Sequence, residues 1–294
     1  MKEKFMDHKF NEPSLKLIST CSGILNEYRE QGYRLSLRQL YYQLVARDYI
    51  ENTVKSYKRI GDLVSNARLA GLLDWQMIED RGREVVSNSH WTSPRSILRG
   101  AAYSFRMDHW KGQSNYVEVF VEKDALSGIL LPVCREMDVR FTANKGYSSS
   151  SAMYEASKRI VDADKAGCNI HIIYLGDHDP SGIDMTRDIQ DRFNLFTRDC
   201  FDVYVHRLAL NYDQVEQWNP PENPAKETDS RYEAYMVRFG ESSWELDAVE
   251  PATLADLVRD QIRELIDVDE WNAVQAQEDQ YRSELEKLAD GYKE

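Results

Sequence analysis

The chain has 294 residues, 42% of them hydrophobic, and sets 37 Lys+Arg against 50 Asp+Glu for a net charge of −13, the balance of a globular protein with one large or two ordinary domains. No stretch approaches the ~20 apolar residues of a membrane span, and the first seven residues lack the apolar core of a secretory signal. The expectation is therefore a cytoplasmic protein with no membrane partner. Its four widely spaced cysteines (Cys21, Cys134, Cys168, Cys200) have no zinc-finger spacing and read as reduced, buried thiols.

Charge is unevenly spread along the chain. Residues 31–111 carry 13 basic against 8 acidic side chains, whereas 177–294 carry 12 against 29. A basic module joined to an acidic body fits that distribution, and so does an ordinary solvated surface.

The N-terminal pattern is helical. Apolar periodicity predicts a helix from Leu15 to Tyr28, ending near Gly32. Ser36 is placed to cap a second, Leu37 to Ala46, and Thr53 or Ser56 opens a third that runs to Ala70. An extended piece with a turn follows at Asp74–Arg83. Three short helices and a ribbon suit a winged helix, with Lys55, Lys58, Arg59 and Arg68 on the third helix as candidate contacts to double-stranded DNA. A three-helix bundle with no DNA role would look the same.

Past a joint at Lys111–Asn115 the period changes. Strands are expected at Tyr116–Val121, Val139–Thr142, Asn169–Leu175 and Phe201–Leu208, separated by helices at 125–137, 150–166 and 180–196. This alternation predicts an α/β domain with a mostly parallel sheet. Three prolines make 218–225 a loop. Trp244–Ala248 reads as a strand presenting Glu245 and Asp247, with a helix at 254–266 and an acidic helical tail expected to be solvated or to pack in a dimer. The domains expected are 1–111 and 112–294.

In open α/β sheets, functional groups gather at the carboxyl ends of strands. Glu122 follows the first strand, and Asp177 and Asp179 follow the third. At i and i+2 in an extended segment, the two aspartates would point the same way. Three converging carboxylates suit Mg²⁺, with Mn²⁺ or Ca²⁺ as substitutes. The competing reading makes the aspartates helix caps. His178, between them, reads as a spacer or a substrate contact.

On the second helix, Leu37, Leu40, Tyr41, Leu44 and Val45 form one apolar stripe. Tyr42 lies roughly 130° from its centre at ~100° per residue, on the side of Arg38. Tyr41 is thus expected in the core and Tyr42 outward beside a guanidinium, as a phenol that attacks a phosphodiester would need to be.

These residues together resemble the A subunit of type IIB topoisomerases and the related protein that makes meiotic double-strand breaks. That family joins a winged helix carrying a nucleophilic tyrosine to a Mg²⁺-binding Toprim domain. Arg38-Gln39-Leu40-Tyr41-Tyr42 is similar to its tyrosine motif, Glu122 to the Toprim glutamate, and Asp177-His178-Asp179-Pro180-Ser181-Gly182 to its Asp-x-Asp-Pro-x-Gly motif. Asn144-Lys145-Gly146-Tyr147 is similar to its lysine–glycine turn, although Ser148-Ser149 replace the usual Pro-Asp. The resemblance spans about residues 34–210 and is nearest to compact stand-alone versions of the subunit.

The resemblance implies a winged helix followed by a Toprim domain with a helical C-terminal extension, in a cytoplasmic, nucleoid-associated homodimer. It further implies Mg²⁺-dependent double-strand cleavage through a 5′-phosphotyrosine at Tyr42, with Arg38 and Lys145 on the phosphate. One protomer's tyrosine would meet the other's metal site, and an ATPase or accessory partner would be a separate chain. Two other functions fit the residues: a Toprim hydrolase using metal-activated water, and a non-catalytic DNA-binding subunit.

Overall fold

In the computed structural model, which describes residues 2–78, 88–144 and 146–292, the N-terminal helices start where a side chain satisfies free amides. Asn11 caps α1 (Glu12–Glu30), accepting from the Ser14 amide at 2.9 Å. Ser36 and Gln39 form a reciprocal capping box at the start of α2 (Leu37–Ala46), whose ends match the expectation. Thr53 opens α3 (Val54–Leu69). Their apolar faces close on a core that includes Ile18, Leu25, Leu40, Tyr41, Leu44, Ile60 and Val64. The extended piece expected from Asp74 begins instead as a 3-10 turn, Trp75–Met77, because the Asp74 carboxylate accepts from the Gln76 amide. Residues 79–87, where most of the expected ribbon falls, lie outside the described residues. A helix that the periodic reading passes over, α4 (Pro94–Ser104), starts at a Ser93–Ser96 capping box.

Strands and helices then alternate: β1 (Asn115–Val121), α5 (Ser127–Glu136), β2 (Arg140–Ala143), α6 (Ser150–Lys165), β3 (Asn169–Leu175), α7 (Pro180–Thr197) and β4 (Val203–Ala209). The four strands form a parallel sheet in the order β2-β1-β3-β4, so the chain is an α/β protein as its alternation implied. Successive side chains of a strand face opposite ways. Val117, Val119, Val121, Ile173 and Leu175 therefore pack with α5, while Phe120, Ile172 and Tyr174 pack with α6 and α7.

The rest of the chain comprises α8 (Tyr212–Trp218), β5 (Glu222–Pro224), α9 (Tyr232–Phe239), β6 (Ser242–Trp244), α10 (Pro251–Arg263) and α11 (Val268–Gly291). The proline-rich loop contains β5, a three-residue edge strand antiparallel to β6. The strand expected over Trp244–Ala248 stops at Trp244 and turns into a 3-10 turn, Leu246–Ala248. Leu254, Ala255, Val258 and Ile262 of α10 join α5 on the sheet. The acidic tail is not wholly solvated: α11 lies along α4, and its buried Glu278 accepts from the Met107 amide at 2.7 Å and faces His109 Nε2 at 3.1 Å. Two cysteines also depart from expectation, since Cys168 is half-buried and Cys200 exposed. Among the described residues no helix is long and apolar enough to cross a membrane.

One ion pair anchors the sheet to α6. Glu118, fully buried on β1, accepts twice from Arg159 at 2.7 and 3.0 Å and once from the Tyr116 hydroxyl at 2.5 Å. Removing one partner of a buried pair strands the other charge. Arg159→Leu should therefore cost about 3 kcal/mol, read as a lower urea midpoint, and adding Glu118→Met should recover most of it. An unchanged midpoint in the single variant would show that the pair contributes nothing.

Candidate functional site

The carboxyl ends of β1 and β3 meet the return of the chain at residues 242–248. Glu122 sits at a bend just past β1 and Lys123 is extended after it, and their side chains take different partners. Glu122 turns toward β3, where its Oε2 accepts from the Asp177 amide at 2.8 Å. Burial, the largest influence, pushes its carboxyl up. Lys123 turns toward the returning chain. Its Nζ lies 2.6 Å from Asp177 Oδ2, 3.0 Å from Glu245 Oε2 and 3.5 Å from Asp247 Oδ2. Burial would lower the pKa of this ammonium, but the three carboxylates outweigh it and raise its pKa.

The loop after β3 is held by its backbone. Arg207 on β4 donates to the carbonyls of Gly176, Asp177, Gly182 and Leu210, the contact to Asp177 being 2.6 Å. The Asp177 carboxylate accepts from the Leu246 amide at 2.8 Å as well as from Lys123. Burial pushes this carboxyl up, against the pull of Lys123 and with the help of Glu122. Asp179 does something different. It is the N-cap of α7, and its Oδ1 accepts from the Gly182 amide at 2.6 Å and from Ser181 Oγ at 3.0 Å. The extended segment ends there, so Asp177 and Asp179 take different partners instead of pointing together.

His178 is neither a solvent-facing spacer nor exposed to a substrate. It is 1% accessible and sits among Tyr212, Tyr235, Phe239 and Trp244, with Nδ1 2.8 Å from the Tyr235 hydroxyl. Its backbone exchanges two hydrogen bonds with Trp244, fastening the returning chain to the loop. Burial first, then Arg207, lowers its pKa to about 4, so it is a neutral anchor.

Glu245 and Asp247 complete the cluster. Glu245 lies between Lys123 and Arg38, whose Nη1 is 2.6 Å from Oε2. Burial would raise its pKa, and these two cations hold it below the ordinary range. The Asp247 side chain is fully buried, and neither carboxylate oxygen has a hydrogen-bond partner. Burial raises its pKa. Five carboxyl groups (Glu122, Asp177, Asp179, Glu245, Asp247) thus gather with three basic side chains (Lys123, Arg38, Arg207).

Tyr42 enters from α2, and here the expectation of an outward phenol fails. The residue is 4% accessible, and its hydroxyl accepts from Asn223 Nδ2 at 3.2 Å. The strap carrying β5 covers it, held by Asn52, which donates to the Glu222 carbonyl and the Asn223 side chain. The helix stripe defines the side facing the N-terminal core but not what a segment 181 residues away does on the other side. Burial, then Glu245, raises the Tyr42 pKa, while Arg38 and Lys123 oppose the rise. Tyr42 and Arg38 therefore lie beside the acidic cluster of their own chain.

The remaining candidates scatter. Lys145 lies outside the described residues, although its neighbours Asn144 and Gly146 bond the end of β1. Lys55, Lys58 and Arg59 are exposed at i, i+3 and i+4 on α3, but Arg68 is drawn away, 4.5 Å over the Trp75 ring and donating to its carbonyl. Sequence reasoning missed Lys123, although it directly follows Glu122. It also missed Arg207 and Asn223, for which no local signal exists.

As placed, Glu122, Asp177 and Asp179 do not form a ready set of metal ligands. Their oxygens face the Asp177 amide, Lys123 and the α7 amides, and no group of three acidic, histidine or cysteine side chains among the described residues stands open to an ion. The wider cluster offers oxygen donors, the type a hard cation takes, and contains the orphaned Asp247. No protein-family model and no curated protein matches this chain.

Proposed function

We propose that the chain is a DNA-cleaving enzyme similar to the A subunit of type IIB topoisomerases, with α1–α3 serving as a winged-helix module and the parallel sheet as a Toprim domain. One observation carries the reading. Tyr42 and Arg38 of α2 lie against Glu245, which shares Lys123 with Asp177 at the carboxyl ends of β1 and β3. A nucleophile and a guanidinium from one helix meet an acidic cluster drawn from three other parts of the sequence, where α/β sheets do chemistry. Their proximity within one chain supports a complete site in each protomer, two of which would cut both strands of a duplex.

In this reading Glu245 takes the Tyr42 proton. The phenolic oxygen then bonds to phosphorus as the bond from phosphorus to the 3′ oxygen breaks, which leaves a 5′-phosphotyrosine. Lys123 is a proton donor for the departing oxygen. Arg38 clamps the phosphate once the duplex draws it from Glu245. A divalent cation held by the carboxylates supplies charge stabilisation to the phosphate. Lys55, Lys58 and Arg59 hold the duplex backbone, so binding weakens steeply with salt. Tyr42 reaches DNA only if the β5 strap lifts.

The burial of Tyr42 favours a second reading, in which the same cluster activates water and the tyrosine is structural. End-labelled duplex incubated with the protein and Mg²⁺ or Mn²⁺, stopped with detergent, and resolved with and without protease separates the two. Label that travels with protein until digestion is the expected result. Cleaved DNA with free ends would leave the hydrolase, and no cleavage with either ion would leave a binding subunit.

A further inference from the structure

We propose that Glu250 is a positioning residue for the Tyr42 chemistry: its carboxylate pins α2 to the sheet core and so holds Tyr42 in place at the strand ends. The inference rests on the proposed role of Tyr42 and adds to it a residue outside the acidic cluster.

Three observations carry it. The first is where the carboxylate goes. Glu250 stands at the N-terminus of α10, where the helix's free amides and dipole favour an acid. Its side chain makes no bond to those amides. Instead its Oε2 accepts from the Tyr28 hydroxyl of α1 at 2.6 Å and, at a longer 3.4 Å, from Gln43 Nε2 of α2. Both partners are buried, and burial, then Glu250, raises the Tyr28 pKa, so the phenol keeps the proton it donates.

The second is what lies on each side of that bond. Beyond Glu250, Leu254, Ala255, Val258 and Ile262 of α10 belong to the core between the sheet and α5. On the other side Gln43 directly follows Tyr42, and Tyr28 lies with Leu40 and Leu44 in the core that α2 closes. A short hydrogen bond to a carboxylate is about twice as strong as one between neutral groups, and it joins these two bodies.

The third is timing. Two other ties hold α2 and the turn after it: Arg38 to Glu245, and Tyr42 and Asn52 to the β5 strap. The proposed reaction releases both, since Arg38 moves to the phosphate and the strap lifts. The Glu250 bond takes part in neither step, so it persists when the phenol must hold its line to phosphorus. Displacing a reacting atom by about 1 Å can cost about 10²-fold in rate.

The distance between nitroxide labels at Asp62 on α3 and Asp260 on α10, both exposed, tests the tie without DNA, in a chain carrying Cys168→Ser and Cys200→Ser. Glu250→Ala should broaden the distance distribution, while Glu250→Gln, whose amide oxygen still accepts from Tyr28, should keep it narrow. Tyr28→Phe removes the same bond from the other side and serves if Glu250→Ala does not fold. On labelled duplex with Mg²⁺ or Mn²⁺, both variants should lower the single-turnover rate of forming protein-linked DNA by about 10–100-fold. Duplex affinity, set by phosphate contacts elsewhere, should stay within about twofold of wild type. Glu250→Gln should restore the rate to within about threefold. A distribution as narrow in Glu250→Ala and Tyr28→Phe as in the wild type overturns the proposal, and so does a rate that falls equally in Glu250→Gln and Glu250→Ala. No protein-linked DNA from the wild type, with the distribution broadened by Glu250→Ala, would count against the proposed function alone and leave Glu250 as the tie between α2 and the sheet.

Discussion

Replacing Tyr42 with phenylalanine is expected to abolish protein-linked DNA, lowering cleavage by at least roughly 10³-fold, the scale on which removal of a nucleophile is felt. The fold should survive. The ring stays in its packing against Tyr41, and the loss is one 3.2 Å hydrogen bond from Asn223, about 1 kcal/mol. Binding of duplex through α3 and of divalent cations by the carboxylates should be unchanged, since neither uses the phenol. Asp177→Ala makes the useful contrast, because it should stop both covalent and hydrolytic cleavage. Full activity with free DNA ends in the phenylalanine variant would remove Tyr42 from the chemistry. The strap sets a further condition on the same experiment. Asn223→Ala frees the phenol of its hydrogen bond and should leave covalent cleavage equal or higher if strap opening limits access.

How much of this was legible depended on whether the information was local. Capping and periodicity are local, and they fixed α2 and β3 to the residue because Ser36–Gln39 and the run Asn169–Leu175 state their own ends. The parallel sheet followed from the alternation of such segments. The site was legible as a place but not as an arrangement. Glu122, Asp177 and Asp179 do gather at strand ends, yet what each carboxylate holds is decided by partners that spacing does not reveal. Asp179 is spent on the helix that its own sequence neighbours start. Asp177 is turned by Leu246 and Lys123, and Tyr42 is covered by Asn223. Two of these partners come from the C-terminal third, where three-residue strands and a 3-10 turn carry almost no periodic signal. Charge had a similar limit: the basic count on α3 was right, but it could not say that Arg68 stacks on Trp75.

The same loop yields the largest expected effect on stability. Gly182 lies in the first turn of α7, and a methyl group there would overlap the Asp177 carbonyl oxygen and sit 3.2 Å from Asp179 Oδ1. Space, not backbone conformation, is what alanine lacks. The obstacle is backbone, and it is clamped: Arg207 holds the Asp177 carbonyl, the bridge between His178 and Trp244 holds the next residue, and the Gly182 carbonyl itself accepts from Arg207 at 2.7 Å. Relief would require moving the loop that carries Asp177, and with it the hydrogen bonds from Leu246 and Arg207. Gly182→Ala should therefore cost about 3 kcal/mol or more, at the upper end of overpacking, and lower the melting temperature by several degrees. Gly23 on α1 is the matched control, because a methyl group there meets nothing within 4 Å. Gly23→Ala should stabilise the chain by about 0.5–1 kcal/mol through helix propensity alone. If both alanine variants melt alike, the loop is softer than its hydrogen bonds imply, and the fixed geometry assigned to Asp177 fails with it.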